Sequence, residues 1–492
     1  MPIHAGQLLM VDLPSPVLDA DSAQYLKEHQ IGAVCLFGKN VQDEQQLRTL
    51  CRDLRAVLGE HALIAIDHEG GAIVRMNFWP VPPSAMSLGA AADVQLTRSV
   101  HAANARQLRS VGINWNFAPD MDVNVESANP VIGVRAFGEG VELVTRQALA
   151  ASEGLESGSV AACVKHFPGH GDTHLDSHLA LPRVDKSLSE LEATEFAPFR
   201  AAAAAQVAAF MTAHIIYPAL DPQHPATLSR AVLTGLLRED WQYEGVIITD
   251  SMGMRAIDDN YGRGPAAVQA LAAGADMVMA LGRREVQLAT LESVSEALAD
   301  GTLEAGQMSR SLERLHLLAQ RFPAITSPDA RLDTDTALYS EAWTRGLCAV
   351  RGAVPPPSGQ PITVIAPREE ARLNVSEAGL PARDLARRMQ DHFEVELIEY
   401  DDPAHLDWPT LSADLKAAGR LSVLATTGRH RQPALRAAQP DLHLCLYNAY
   451  SVLDVDAPAL VSFGAAPAAL DAVMAWLRGE VQAGGTLPFT LA

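Results

Sequence analysis

The stretch Leu63-Ile-Ala-Ile-Asp-His-Glu-Gly-Gly71 runs from four apolar residues straight into three ionisable ones and a glycine pair. A short apolar run without alternation reads as a strand buried on both faces, and the abrupt change to Asp67, His68 and Glu69 marks its carboxyl end as the place where charge is presented. Working outward, the same pattern recurs. Apolar runs at Leu8–Val11, Ala33–Phe37, Ile113–Phe117, Val160–Val164, Ala208–Thr212, Val246–Thr249 and Met277–Ala280 are separated by segments of helical composition such as Gln45–Leu58 and Leu96–Val111. Strands alternating with helices, each strand apolar along its length, predict an α/β fold with a parallel sheet covered on its outside. Asp120 and Asp122 follow the fourth run, Lys165 and His166 the fifth, His214 the sixth and Asp250 the seventh. In a (β/α)8 barrel of the TIM type these ends converge on one face, whereas a doubly wound open sheet spreads them along an edge, so the pattern favours the barrel.

The repeat fades after a helix-like segment at Leu303–Arg321. Pro355–Pro357, Ser358, Gly359 and Pro361 form a stiff breaker, and new apolar runs follow at Ile362–Ile365, Val395–Ile398, Leu421–Ala425, Leu442–Leu446 and Leu460–Phe463. The expected organisation is a catalytic barrel over 1–335 followed by a smaller α/β domain over 336–492. The second domain carries no recognisable nucleophile, ligand cluster or phosphate loop.

At 492 residues, with 48% hydrophobic and 20% charged residues, the chain has the balance of a globular protein of two domains or more. A net charge of −21 without any Lys/Arg-rich run argues against a nucleic-acid surface or a polybasic membrane anchor. The N-terminus has no basic segment followed by an apolar one, and no charge-free stretch of ~20 apolar residues occurs later, so no membrane association and a cytoplasmic location are expected. Five scattered cysteines (35, 51, 163, 348 and 445) predict reduced, mostly buried thiols rather than disulfides or a zinc ribbon. Aromatic residues, at 5%, are too sparse for a polysaccharide platform, although Trp79 and Trp115 are candidates to stack one sugar each.

Chemistry concentrates in Lys165-His-Phe-Pro-Gly-His-Gly-Asp-Thr-His-Leu-Asp-Ser-His178. Histidines 166, 170, 174 and 178 have the spacing of one helical face and could bind zinc, but Pro168, Gly169 and Gly171 break that helix and leave a loop. The first run also ends without the His-x-His pair expected of barrel metallohydrolases. The competing reading is an Asp176-x-His178 dyad, in which the carboxylate orients the imidazole and raises its basicity for acid/base work. Asp250, in Gly245-Val-Ile-Ile-Thr-Asp250-Ser-Met, is a candidate nucleophile or the cap of the next helix. Asp67 beside Gly70-Gly71, with Arg75 nearby, suggests close backbone approach to a ligand; Arg135 and Lys165-His166 add further donors, or else serve structure.

Taken in order, Asp67-x-Glu-Gly-Gly, Phe117-Ala-Pro-x-x-Asp122, Asn129-Pro-x-Ile-Gly-x-Arg135, Lys165-His-Phe-Pro-Gly-His-Gly with Asp176-Ser-His178, and Thr249-Asp250-Ser-Met resemble the motifs of family-three glycoside hydrolases of the NagZ-type β-N-acetylglucosaminidase branch. The resemblance spans roughly residues 5 to 320. It implies a barrel that releases terminal β-linked N-acetylglucosamine, with a cell-wall muropeptide fragment as the small-molecule partner and no cofactor or metal. It further implies Asp250 as nucleophile, the Asp176–His178 dyad as acid/base, and Asp67, Arg75, Arg135, Lys165 and His166 as sugar ligands. The chain departs from the family pattern at His68 and Ala72, where Gln and a basic residue are common; this bears on the aglycone more than on the chemistry. Three alternatives stay open: a retaining phosphorylase using the same residues, a zinc-dependent barrel hydrolase built on the His-rich loop, and a non-catalytic sugar-binding barrel. The residues leave oligomeric state undetermined.

Overall fold

Eight parallel strands close on themselves in the computed structural model of the chain, which describes residues 3–174, 181–368 and 380–491. They are β1 (Leu9–Asp12), β2 (Ala33–Leu36), β3 (Leu63–Ile66), β4 (Trp115–Asn116), β5 (Ala161–Phe167), β6 (Ala209–Thr212), β7 (Val246–Ser251) and β8 (Met277–Met279). Each pairs with the next and β1 returns to β8, so the apolar runs are barrel strands in chain order. Their lack of alternation has a direct cause: one face meets the covering helices while the other fills the barrel interior. Met10, Cys35, Ala65, Trp115, Phe117, Cys163, Met211, Ile248 and Met277 form one internal cluster. Trp115 is fully buried there against Phe117, so it is barrel filling and not a sugar platform. Trp79 is also buried; its indole donates to Glu44 (3.2 Å), and the Arg331 guanidinium lies over its ring.

The helices between strands are punctuated as their sequences dictate. The helix Glu44–Leu58 starts where Asp43 accepts from the backbone N–H of Gln46, and Val94–Val111 starts where Asp93 accepts from Gln95 and Leu96. Loops at the carboxyl ends of the strands are then free to carry function.

The second sheet contains β9 (Cys348–Val350), β10 (Ile362–Pro367), β11 (Val395–Tyr400), β12 (Leu421–Thr426), β13 (Leu442–Cys445) and β14 (Ala459–Val461). Its order is β11-β10-β12-β13-β14-β9, parallel except for β9, which runs antiparallel beside β14. β9 has three residues and precedes the proline breaker, which is why no periodicity announced it. The two sheets' units are packed together: the Trp343 indole donates to the Val81 carbonyl (3.2 Å), Ser84 Oγ to the Phe463 carbonyl (2.9 Å), and Asn124 Nδ2 to the Tyr450 hydroxyl (2.8 Å). Met86, Ala90 and Val134 share one apolar cluster with Cys445, Tyr450 and Phe463. All five cysteines are free and buried, as expected. Among the described residues no helix is long and apolar enough to cross a membrane.

Candidate active site

The exit from β3 builds the first wall. Backbone N–H groups of Glu69 and Gly70 both donate to the Ile73 carbonyl, making a tight turn that sends Asp67 and Glu69 toward the barrel mouth. Gly70 and Gly71 have φ of +112° and +55°, and a Cβ on them would lie 2.3 Å from the Pro83 carbonyl oxygen and 2.5 Å from Ser84 Cβ. The glycines therefore allow close approach of the 82–84 backbone. His68 turns inward: its Nδ1 accepts from the Arg75 backbone N–H, and burial, reinforced by the Arg75 charge, lowers its pKa to about 3.

Lys165, 2% exposed, reaches across from β5 to Asp67 Oδ1 (2.7 Å) and Glu69 Oε1 (2.6 Å). Arg135 grips Glu69 with two bonds, Nε to Oε2 (2.9 Å) and Nη2 to Oε1 (2.8 Å), and Arg75 Nη2 stands 3.9 Å from Asp67 Oδ2. Burial alone would raise the Glu69 carboxyl, but Arg135 and Lys165 outweigh it and hold the group well below the usual carboxylate range. Burial likewise opposes charge on Lys165, while Asp67 and Glu69 keep the ammonium protonated. Ion pairs this buried need their partners, so the sugar-binding candidates Asp67, Arg75, Arg135 and Lys165 stand together as one charged floor.

His166 joins the same floor. The register of β5 against β6 shifts between Val164 and Phe167, an irregularity that re-aims the residues between them. His166 Nδ1 lies 2.8 Å from Asp122 Oδ2, and its Nε2 is 3.2 Å from Arg135 Nη2. Because a guanidinium can only donate, Nε2 accepts and the proton sits on Nδ1, facing Asp122. Burial, then Arg135, lowers the His166 pKa to about 4, consistent with that neutral form. Beneath it Asp120 and Asp122 are buried side by side. Burial raises both, to about 8 and about 7, and for Asp120 the repulsion of Asp122 adds to the rise. Asp120 Oδ2 is buried without a hydrogen-bond partner among the described residues.

Asp250 arrives at the end of β7, where pairing with β8 shifts register between Ile248 and Ser251. Its Oδ1 accepts from the Ser251 N–H at 2.7 Å. The following helix, Arg255–Tyr261, has Met254 at its N-cap and no side-chain cap, so the capping role for Asp250 is not realised. The Asp250 charge is felt at His166 and His170, which places it on the same face as the floor. Fully buried His214 donates from Nε2 to the Ser251 carbonyl (2.9 Å), because a carbonyl can only accept; it braces the backbone that presents Asp250.

In the His-rich segment, His170 is buried with Nδ1 2.8 Å from Thr173 Oγ1, and His174 is exposed and pairs with Glu126 at 3.3 Å. His166, His170 and His174 thus face different partners and do not form the zinc set that their spacing permitted. Asp176 and His178 lie outside the described residues. Two other trios bring three ligand atoms within 4.8 Å of one another, Asp120–Asp122–His166 and Glu126–Asp172–His174. Glu69 and His214 were missing from the residues selected by sequence. Glu69 stood in the Asp-x-Glu motif, and His214 at the end of the sixth run, so position was the signal for both.

A carboxylate at the mouth of a (β/α)8 barrel, beside a buried floor of ion pairs, defines a barrel protein with a charged site at the carboxyl ends of its strands. Residues 3–318 match the glycosyl hydrolase family 3 N-terminal domain, and the chain belongs to that family. It is 35% identical over 336 residues to β-hexosaminidase A of Pseudoalteromonas piscicida, an alignment covering 62% of this chain and 56% of that one. It is 37% identical over 289 residues to the β-hexosaminidase of Neisseria meningitidis serogroup C, covering 57% and 79%. The chain thus spans little more than half the length of the Pseudoalteromonas protein. A family 3 β-N-acetylglucosaminidase structure from Paenibacillus sp. str. FPU-7 superposes with a TM-score of 0.90 at 32% identity, covering 99% of this chain and 98% of that one.

Proposed function

We propose that the enzyme is an exo-acting, retaining β-N-acetylglucosaminidase, acting in the cytoplasm on small muropeptide fragments of the cell wall. The observation that carries the reading is Asp250, a carboxylate near the end of β7 that does not cap the following helix and whose charge acts on His166 of the Asp67–Glu69–Arg75–Arg135–Lys165–His166 floor. The likeness to β-hexosaminidases supports the sugar. In this mechanism the floor holds the hydroxyl groups of the terminal sugar. An Asp250 oxygen bonds to the anomeric carbon as the glycosidic C–O bond breaks, and His178, oriented by Asp176, donates a proton to the leaving oxygen. His178 then takes a proton from water, whose oxygen bonds to the same carbon and expels Asp250, so two inversions give net retention.

Asp250→Ala should lower kcat by ~10⁴-fold or more with the fold intact. A slow fluorinated substrate should label the peptide containing Asp250. Label on another residue, or a product of inverted configuration, overturns the reading. His178→Ala should slow substrates with poor leaving groups far more than activated aryl glycosides, whose phenolate departs with little proton help.

A further inference from the structure

Lys186 stands 14 positions after Asp172, and the stretch that carries Asp176 and His178 lies between them in the chain. Its Nζ is 2.9 Å from Asp172 Oδ2 and 2.5 Å from Glu195 Oε1, so one ammonium ties both ends of that stretch to a third residue. Glu195 is a fixed point. It is 1% exposed, stands at the start of the helix Phe196–Ala204, and its other oxygen accepts from the Thr194 hydroxyl. Phe196 behind it is fully buried, edge-on to Trp241. Burial opposes the charge on Lys186, but Glu195 and Asp172 hold the ammonium protonated. An exposed ion pair between two flexible side chains would count for little; here the cation is anchored by a buried carboxylate before it reaches Asp172.

The same supports meet the backbone on both sides of the stretch. On the way in, Gly169 lies against Glu195: a Cβ on it would be 2.7 Å from Glu195 Cβ, and its carbonyl accepts from the Tyr217 hydroxyl. On the way out, the Pro182 carbonyl accepts from the Ile216 N–H (3.0 Å) and the Val184 N–H donates to the Ile216 carbonyl (3.0 Å). The main chain is therefore held before and after by Glu195 and by Ile216 and Tyr217, and the Asp172–Lys186 pair is a side-chain link that joins the two ends directly. Drawing the ends of a segment together removes conformations from everything between them. A reacting group misplaced by ~1 Å can lose ~10²-fold in rate, so the groups that fix its root bear on the chemistry without belonging to the floor.

We infer that Lys186 and Asp172 are positioning residues for the acid/base step, their ion pair, anchored on Glu195, fixing the root from which Asp176 and His178 work on the leaving oxygen; this rests on the glycosidase reading above. The pair acts on the step that needs a proton and leaves the attack of Asp250 untouched, so its loss is felt according to how much proton help the leaving group requires.

The test compares kcat/KM of the full chain for di-N-acetylchitobiose, whose leaving group is a sugar alcohol, and for dinitrophenyl β-N-acetylglucosaminide, whose phenolate departs with little proton help. The ratio of the two cancels the fraction of folded enzyme, so a merely structural loss does not move it. Asp172→Asn keeps the Lys186–Glu195 pair and with it the fold; it should lower kcat/KM about tenfold for chitobiose and less than about twofold for the aryl glycoside. Lys186→Arg, which can still span Asp172 and Glu195, should stay within about twofold of the native enzyme on both substrates. Lys186→Met should show the same selective loss together with a lower melting temperature, because Glu195 is left buried without its cation, and adding Asp172→Asn to it should change the ratio no further. Equal losses on the two substrates, or no loss, in Asp172→Asn overturn the inference. When His178→Ala still slows chitobiose selectively, the dyad survives that failure; when His178→Ala too slows both alike, the dyad falls with it. A further selective loss on adding Asp172→Asn to Lys186→Met would show Asp172 acting through another partner, and the pairing would be wrong.

Discussion

Lys165 shows how much the site depends on charge being matched. Its ammonium is enclosed with the Asp67 and Glu69 carboxylates; without it Glu69 keeps the two Arg135 bonds, while Asp67 keeps only the longer Arg75 contact at 3.9 Å. Lys165→Ala should therefore cost about 3–5 kcal/mol of stability, the usual consequence of stranding a buried charge, and lower kcat/KM by about a hundredfold. Denaturant unfolding and steady-state kinetics on one preparation check both; native stability in the variant would show the ammonium to be dispensable. The Asp120–Asp122 pair works with the opposite sign from Glu69. Carboxyls whose folded pKa is raised bind protons more tightly in the folded chain, so their contribution to stability falls as pH rises from the unfolded value near 3.8 through about 7 and about 8. Glu69, held low, contributes stability above its unfolded value of 4.5 that is lost as pH falls. Asp120→Asn removes the repulsion and retains an acceptor for the Asp122 N–H, so the decline in melting temperature between about pH 4 and pH 8 should flatten. An unchanged slope in a pH series of thermal melts would count against the raised carboxyl pair.

At the level of elements, strands were legible and turns were not. A parallel strand buried on both faces writes a continuous apolar run, which is why β3, β5 and β7 could be read with Asp67, Lys165 and Asp250 at their ends. The turn after β3 obeys a different constraint. Gly70 is required by a proline carbonyl 13 residues further on, and a contact at that distance leaves no periodic trace. Gly70→Ala combines a positive φ with a Cβ 2.3 Å from a backbone oxygen, so it should destabilise the fold by about 1–3 kcal/mol and displace Asp67 and Glu69 together. The check is a joint loss of melting temperature and kcat/KM; loss of neither would place the turn outside the site's support. The Glu69–Arg135 bonds, joining β3 to a loop 66 residues later, were hidden for the same reason, as was the brace from His214 to Ser251.

For the whole molecule, the barrel and the second sheet share buried surface, and the consequence is mutual dependence. Met86, Ala90 and Val134 are covered by Tyr450, Phe463 and their neighbours. A chain ending at residue 335, at the expected domain boundary, would expose that patch and lose the Trp343 and Tyr450 hydrogen bonds. Its melting temperature should fall by ~5 °C or more and its light scattering should reveal self-association. A monodisperse fragment as stable as the parent would mean that the barrel needs no cover. The junction between the second domain and the barrel escaped the sequence because Arg429 and Arg431 meet Val131 and Ser127, some 300 positions earlier.

The Val131 carbonyl oxygen receives Nη1 of Arg135 at 3.2 Å and Nη2 of Arg429 at 2.9 Å. A carbonyl has two lone pairs, so those two donors saturate it. Because the acceptor is main chain, its presence does not depend on which side chain position 131 carries. Sequence drift at 131 can therefore change that side chain while the junction persists. Only changes at 135 and 429, or a shift in the path of the backbone itself, can sever it, so in diverging descendants those two positions should vary as a pair while 131 wanders.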